Sequence, residues 1–447
     1  VYYLIVGDIC AYAQRMGIWW NVRGSGAGSV VAYCTGITRV DPLKYGLIFE
    51  RFLNPSRHGM PDFDLDFPDE SRESLIAYTM HKYGERSVAQ IVSFSTIKSR
   101  GAIKDVGRLL GQDPSYMNTL SEMVPFGSST LEDALKESPE LTLNYQSDSN
   151  VKNIVDLGMT IEGVKRNMSI HPAAVIITPG DVMNYVPLVK PPASAVTPYV
   201  TQFEYPICES LGLLKIDFLG LRTLTIMRIA CDLIFKRYGI KYSLDTIPID
   251  GEEADPAFKL LQTGYTLGVF QVESSGMQET LRSMQPTTVE NITAVVSLYR
   301  PGPMDYIPTF IKRMHGEEMV EYRHPKMELA LGETFGLMIY QENVMQIATD
   351  LAGYTGAEAD NMRRAIGKKK EKDLKKHHEM FVEGCITHSG IDRQVAEDIY
   401  SDILKFANYG FNKCLTADTL IYDPYLGRQV PISEMLQYQK YSGSVLS

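Results

Sequence analysis

The chain has 447 residues, of which 44% are hydrophobic and 22% are charged. These fractions are close to globular averages and exclude collagen-like, wholly disordered and disulfide-scaffold classes. The formal net charge is −10, so the whole protein is not a basic nucleic-acid coat, although an acidic protein can still carry a local basic stripe. A chain of this length is expected to form about three domains.

Membrane and secretion signals are absent from the sequence. It contains no apolar stretch long enough to span a bilayer and no basic, cleavable leader. Its six cysteines include no C-x-x-C pair, which argues against a zinc site or a disulfide framework and for a reducing compartment. We therefore expect a cytoplasmic protein. Because the sequence starts with Val1 rather than Met, we also expect a piece of a longer chain.

The predicted elements divide the chain into segments. Residues 1–94 are mixed α/β: helical spacing in LIVGDICAYAQRMG, a glycine-rich turn, a short helix in SVVAYCTGI and strict alternation in MPDFDLDFP. Residues 95–168 are polar and helical, and strand signals return in residues 169–221. The simplest topology is one sheet domain interrupted by a helical insertion. Residues 222–413 predict a further, mostly α-helical domain.

The strongest chemical signal is PDFDLDF, where aspartates alternate with large apolar residues. In a strand, the apolar side chains would enter a core while Asp62, Asp64 and Asp66 stand in a row on the other face. Three like charges repel unless hard divalent cations lie against them, and Mg²⁺ takes carboxylate oxygens together with substrate phosphates. The alternative is a solvated acidic edge strand.

Two further segments supply partners for this strand. Residues 23–29 form a Gly/Ser turn ahead of the helix VVAYCTGI, where glycines and a helix N-terminus would admit an anion; a plain turn is the alternative. The turn is neither a Walker A loop nor a complete dinucleotide fingerprint. The strand-like segment KIDFLG carries Asp217, which would face Asp64 and Asp66 across the sheet, and Lys215 on the same face.

A basic run spans residues 362–376. Such a run is often a solvated helix face. Its paired arginines, Arg363 and Arg364, are equally suited to grip a triphosphate through bidentate hydrogen bonds. This run is a local basic stripe within a chain whose net charge is negative.

Taken together, these motifs resemble the bacterial DNA polymerase III alpha subunits, which are the C-family replicative polymerases. The matching stretches follow the family's order over nearly all of residues 1–413, and they are RGSGAGSVVAY, FERFLNPSRHGMPDFDLDF, FSTIKSRGAIKDVGRLLG, LLKIDFLGLRTLT, GVFQVESSGMQ, LYRPGPM, IYQENVMQIATDLAGYT, MRRAIGKKK and FANYGFNK. The resemblance implies an α/β palm of the nucleotidyltransferase type found in X-family polymerases, in residues 1–94 and 169–221. It also implies an inserted helical thumb in residues 95–168 and helical fingers in residues 222–413.

The same resemblance implies the site residues. Asp64, Asp66 and Asp217 would hold two Mg²⁺ ions, one activating the primer 3′-hydroxyl and one holding the triphosphate, while Asp62 would belong to the motif without binding metal. Further residues would contact the triphosphate: Arg23, Gly24, Ser25, Ser29, Lys215, Arg363 and Arg364. Basic residues of the thumb and fingers would hold the DNA backbone: Lys98, Arg100, Lys104, Arg108, Lys368, Lys369 and Lys370.

The polymerase resemblance ends at Lys413. Residues 414–447 resemble the β-rich start of an intein, whose nucleophile Cys414 would take the acyl group of Lys413; a diverged tail is the alternative. Splicing would then need a C-terminal intein half, since no His-Asn ending follows. Other implied partners are primer–template DNA and dNTP. The protein itself would be associated with the nucleoid. It would bind the sliding clamp, proofreading and clamp-loader subunits through regions outside this sequence.

The sequence therefore predicts a replicative, template-directed DNA polymerase. One alternative is a catalytically silent nucleic-acid-binding subunit that keeps the fold. Another is a template-independent nucleotidyltransferase, which would share the metal site and the Gly/Ser turn but would have no use for a large fingers domain.

Overall fold

The computed structural model describes residues 1–55, 61–125, 128–300, 302–367, 371–407 and 410–413. They form seven strands and many helices, which confirms the mixed α/β prediction. They form two compact units: the described residues of 1–76 together with those of 216–413, and the described residues of 77–215. The strands in chain order are β1 (Asn21–Arg23), β2 (Asp64–Phe67), β3 (Val88–Thr96), β4 (Lys165–Ile177), β5 (Leu188–Val189), β6 (Val200–Thr201) and β7 (Leu214–Gly220).

In the first unit β1, β2 and β7 lie side by side. β1 is antiparallel to β2, and β2 is parallel to β7, with Asp64 paired to Asp217. The apolar members of the alternating segment, Phe63, Leu65 and Phe67, are fully buried, as their period of two predicts. The parallel register therefore places two aspartates from distant parts of the chain next to each other.

Helices form the rest of the first unit. Hydroxyl side chains cap several of them, as Ser274 does for Ser275–Met284 and Thr288 for Val289–Leu298. Their apolar faces contribute to two clusters, within residues 254–340 and 327–406. The other α-helices are Tyr2–Arg15, Val30–Cys34, Phe49–Phe52, Arg72–Tyr83 (which runs into the second unit), Arg222–Tyr238, Asp255–Thr263, Ile307–Met314, Glu328–Leu331, Gln341–Ala352, Gly356–Gly367, Glu371–Ser389 and Arg393–Ala407.

Beyond residue 221, the regular elements that the structure describes are helices, as predicted. The β-contact described there is an isolated parallel bridge between Tyr340 and Phe411. Short 3₁₀ turns complete this unit: Gly24–Gly28, Asp69–Ser71, Pro303–Tyr306, Pro325–Met327 and Gly332–Thr334.

The second unit combines four strands with helices. The strand order is β4-β3-β6-β5, with β3 antiparallel to β4 and parallel to β6, and β5 antiparallel to β6. Five helices lie between β3 and β4 in sequence and share an apolar cluster within residues 102–155. They are Ser99–Leu109, Pro114–Glu122, Leu131–Glu137, Pro139–Ser147 and Ser149–Ile161; a sixth α-helix, Tyr205–Ser210, and the turns Glu85–Ser87 and Val182–Asn184 complete the unit.

Among the helices that the structure describes, none is both long and apolar enough to cross a bilayer. Cys10, Cys34, Cys208, Cys231 and Cys385 are free thiols.

Candidate active site

Three carboxylates gather beside the β2–β7 pair. Asp64 and Asp217 are register partners on parallel strands, so their side chains lie on the same face of the sheet. Asp62 lies two residues before Asp64, which is one period of the side-chain alternation. One oxygen from each of Asp62, Asp64 and Asp217 lies within 4.8 Å of the others. Asp217 is 3% exposed, and Asp62 and Asp64 are half-buried. A set of carboxylate oxygens at this separation fits a hard divalent cation.

Asp66 belongs to a different arrangement. Its carboxylate accepts a bidentate pair of hydrogen bonds from Arg23 of β1, at 2.6 Å from Nη2 and 3.1 Å from Nε. Burial raises the pKa of the Asp66 carboxyl, and the Arg23 guanidinium opposes that rise. The cluster thus differs by one residue from the expected set of Asp64, Asp66 and Asp217, because β1 brings an arginine to Asp66 and the guanidinium fork engages both of its oxygens.

An aromatic group supports the backbone of the acidic strand. The Tyr2 hydroxyl accepts a hydrogen bond of 2.7 Å from the backbone N–H of Phe63, and the two rings stack with centroids 5.5 Å apart. The centroid of the Phe52 ring lies 4.8 Å from that of the Phe63 ring. Burial and the nearby Asp62 carboxylate raise the pKa of Tyr2, which keeps it protonated. The role of Tyr2 could not be predicted from the sequence, since helical spacing indicates burial but does not identify a hydrogen-bond partner.

The Gly/Ser turn follows β1 and packs against this strand. It forms the 3₁₀ turn Gly24–Gly28 ahead of helix Val30–Cys34. Gly24 has a φ of +77°, which favours glycine. A Cβ added at Gly26 would lie 2.5 Å from the Phe63 ring, so only glycine allows this close approach. Both glycines therefore have a structural reason to be there.

The serines of the turn differ in their surroundings. Ser29 is fully buried; its Oγ accepts the Ala32 N–H at 3.2 Å, which caps the short helix, and lies 2.9 Å from the Tyr3 hydroxyl. Ser25 is half-buried. The side chains of Arg23 and Ser29 are thus both engaged within the protein.

The two arginines of the basic run lie on helix Gly356–Gly367 and line one cavity of about 290 Å³. Arg363 is bound by Asp360, with 2.6 Å between Nη2 and Oδ1, and by Gln341, with 3.1 Å between Nη1 and Oε1. The described residues lining the cavity are Gln341, Val344, Arg363, Arg364, Gly367, Phe406 and Gly410.

In the second unit, the predicted DNA-contacting residues are exposed. Arg100, Lys104 and Arg108 recur every four residues along helix Ser99–Leu109, and Lys98 lies at its N-cap. The buried residues of this helix lie on another face and contribute to the apolar cluster. The two arginines are engaged within the unit: Arg100 Nε and Nη2 donate to the Val124 carbonyl at 3.2 and 2.6 Å, and Arg108 Nη2 donates to Asp105 Oδ1 at 3.0 Å. Lys104 is exposed on the face opposite the apolar cluster.

Of the remaining predicted residues, Lys215 is described by the structure and the others are not. The Lys215 ammonium lies 4.4 Å from the centroid of the Tyr205 ring. Lys368, Lys369, Lys370 and Cys414 lie outside the described residues. The domain bounds stay predictions.

Comparisons with known proteins place the chain in a class. Residues 1–220 match the family model described as "Bacterial DNA polymerase III alpha NTPase domain", and residues 223–389 match "Bacterial DNA polymerase III alpha subunit finger domain". The two models describe the same subunit and together cover all but two of the first 389 residues. The chain therefore belongs to the bacterial DNA polymerase III alpha subunit family, as its motifs predicted.

Individual relatives agree with this family. The chain is 44% identical over 413 residues to the DNA polymerase III subunit alpha of Chlamydia muridarum, covering 92% of this chain and 33% of the relative. It is 43% identical over 422 residues to that of Thermus aquaticus (92% and 34%) and 42% identical over 415 residues to that of Bacillus subtilis (92% and 36%). The chain thus spans about a third of the length of these curated relatives.

Proposed function

We propose that this chain carries the catalytic core of a replicative, template-directed DNA polymerase. In this reaction the primer 3′-hydroxyl oxygen attacks the α-phosphorus of a dNTP, and the bond to pyrophosphate breaks. The observation that carries the proposal is the cluster of Asp62, Asp64 and Asp217 on neighbouring strands. Palm residues would be 1–94 and 169–221, thumb residues 95–168 and fingers residues 222–413.

The carboxylate cluster would hold divalent cations, and we propose two Mg²⁺ ions. When bound, they would supply Lewis-acid stabilisation of the phosphates and a lower pKa for the primer hydroxyl. Asp62, Asp64 and Asp217 would supply the protein oxygens. Asp66, the ligand predicted from the sequence, would first have to leave Arg23. We therefore propose Asp62 in its place.

The triphosphate would lie among basic groups. Arg363 and Arg364 line a cavity large enough for phosphate groups and would neutralise their charge. Further proposed triphosphate contacts are those of Arg23, Gly24, Ser25, Ser29 and Lys215. Because the arginine side of the cavity is polar and charged, it supports an anionic ligand over an apolar one.

Primer extension tests this proposal against its alternatives. The complete protein that contains this chain, supplied with Mg²⁺, primer–template and dNTP, is expected to extend the primer to the end of the template. Failure to extend would favour the catalytically silent DNA-binding subunit. Equal extension without template would favour the template-independent nucleotidyltransferase.

Replacing Lys104 with Ala should weaken DNA binding in a salt-dependent way. Each phosphate contact contributes about −0.9 to the slope of log affinity against log salt for duplex DNA. We expect Lys104→Ala to make that slope about 0.9 less steep, measured by fluorescence anisotropy from low to moderate salt. Lys152→Ala, at an exposed lysine of a neighbouring helix, is the matched control. Equal slopes for wild type and Lys104→Ala would exclude Lys104 from the phosphate contacts.

We further propose that residues 414–447 begin an intein and that its C-terminal half is a partner. Supplying an active C-terminal half fused to a marker peptide is expected to join the marker to Lys413 and release residues 414–447. Cys414→Ala should abolish this product, since acyl transfer requires the thiolate. Cys34→Ala, at an exposed thiol, is the control. If the chain stays unspliced with a C-terminal half that is active with a different N-terminal half, the proposal is contradicted.

The proposed assembly follows from the family. Primer–template DNA and dNTP would be substrates, and a nucleoid-associated cytoplasmic complex would include the sliding clamp, proofreading and clamp-loader subunits. Those contacts would be made outside residues 1–413.

A further inference from the structure

One amide oxygen in the first unit accepts hydrogen bonds from two arginines that lie far apart in sequence. The Gln341 Oε1 atom is 2.9 Å from Nη2 and 3.2 Å from Nε of Arg51, and 3.1 Å from Nη1 of Arg363. Since guanidinium groups only donate, the oxygen of the amide must face them. The Gln341 Nε2 atom donates to the Gly410 carbonyl at 3.0 Å, which fixes that orientation.

Charge balance explains how two cations share this oxygen. Arg51 Nε lies 3.4 Å from the Glu342 carboxylate, and Arg363 Nη2 lies 2.6 Å from the Asp360 carboxylate. The Glu342 and Asp360 side chains are 6% and 1% exposed. The buried group is therefore neutral overall, with Gln341 as its uncharged centre, and each arginine has its own counterion.

The contacts constrain Arg363 in particular. Its Nε and Nη2 atoms both donate to Asp360 Oδ1, at 3.0 and 2.6 Å, and its Nη1 atom donates to Gln341. Asp360 lies one turn earlier on the same helix and moves with Arg363, whereas Gln341 belongs to a different helix. The bond to Gln341 therefore sets where Arg363 lies relative to the cavity that both residues line.

We propose that Gln341 is a positioning residue for nucleotide binding. It holds Arg363 at the wall of the cavity, where Arg363 meets the triphosphate of the incoming nucleotide, and ties it to Arg51. This inference rests on the proposed function of Arg363 as a triphosphate contact. A neutral acceptor suits the position, because a carboxylate there would add negative charge beside an anionic ligand.

Single-nucleotide incorporation by the complete protein on primer–template tests this role. Gln341→Met keeps the length of the side chain but removes the acceptor, so we expect the KM for dNTP to rise about tenfold, the effect of losing one hydrogen bond to a charged group. We expect kcat to change less than about twofold, because the contact acts in the ground state and the transition state alike. Gln346→Met, at an exposed glutamine of the same helix, should leave both constants unchanged.

A double variant separates positioning from a general packing role. If Gln341 acts through Arg363, Gln341→Met should raise KM little further in an Arg363→Lys background. If the fold-increases in KM of the two single variants multiply in the double variant, the proposal is overturned. An unchanged KM in Gln341→Met would also overturn it. Should Gln341→Met not fold, Gln341→Asn shortens the side chain and withdraws the acceptor from Arg363; it should also raise KM, and an unchanged value would overturn the proposal. A wild type that extends no primer would contradict the proposed function itself.

Discussion

Replacing Asp64 with Asn is expected to reduce primer extension by at least about a thousandfold. Asp64 is the central member of the carboxylate cluster, flanked by Asp62 and by its register partner Asp217. Loss of one charged oxygen ligand should remove about 4 kcal/mol of transition-state stabilisation, which corresponds to this factor. The measurement is the single-turnover rate of nucleotide incorporation at saturating dNTP and Mg²⁺. Asp250→Asn, at an exposed aspartate outside the cluster, is the matched control.

Thermal unfolding gives a second, non-catalytic readout of the same variant. Three carboxylates within 4.8 Å repel, so without divalent cations Asp64→Asn should be at least as stable as wild type. Mg²⁺ should raise the melting temperature of wild type through binding to the folded state, and the variant should lose most of that rise. Full activity in Asp64→Asn would contradict the proposed mechanism.

The same readout distinguishes the two candidate ligand sets. If Asp62 completes the cluster, Asp62→Asn should lose the Mg²⁺-induced rise in melting temperature. If Asp66 is the third ligand, Asp66→Asn should lose it instead. Because Asp66 is bound by Arg23, we expect Asp66→Asn to lower the melting temperature equally with and without Mg²⁺.

Removing Arg23 should produce the largest loss of stability. Arg23→Met leaves the Asp66 carboxylate, 5% exposed, without its guanidinium partner. Breaking a buried ion pair in this way costs about 3–5 kcal/mol in the free energy of unfolding. Urea denaturation at pH 8 measures the loss. An unchanged free energy of unfolding would show that the pair contributes nothing to the fold.

The pH dependence of that loss has a definite sign. Burial already raises the pKa of Asp66 in the folded wild type, and without Arg23 the pKa should rise further. A carboxyl with a raised folded-state pKa binds its proton more tightly when folded, so its stabilising effect is present at low pH and disappears as the pH rises through that pKa. Arg23→Met should therefore be less destabilised at pH 5 than at pH 8.

Two control variants accompany this experiment. Arg23→Met combined with Asp66→Leu replaces both partners by apolar groups and should recover most of the lost stability. Arg228→Met removes one partner of a solvent-exposed pair with Glu70 and should cost less than about 1 kcal/mol. Equal losses in Arg23→Met and Arg228→Met would mean that burial of the first pair has no energetic consequence.

Local sequence pattern determined much of this protein. The period-two alternation predicted that Phe63, Leu65 and Phe67 enter a core, and all three are fully buried. Helical spacing and strand signals predicted the mixed α/β class and the helical region beyond residue 221. The order of several motifs predicted the family. The burial pattern and the element types depend on residues close together in the chain, where backbone geometry alone links pattern to structure.

Tertiary structure alone decided which aspartates share a site. Asp62, Asp64 and Asp66 have the same side-chain period, so the alternation by itself could not distinguish them. Register with β7 brings Asp217 to Asp64, and pairing with β1 brings Arg23 to Asp66. The two arginines around Gln341 follow the same rule, because the hydrogen bond from Arg51 to Gln341 joins residues 290 positions apart. Such contacts depend on how strands and helices pack, which no local spacing encodes.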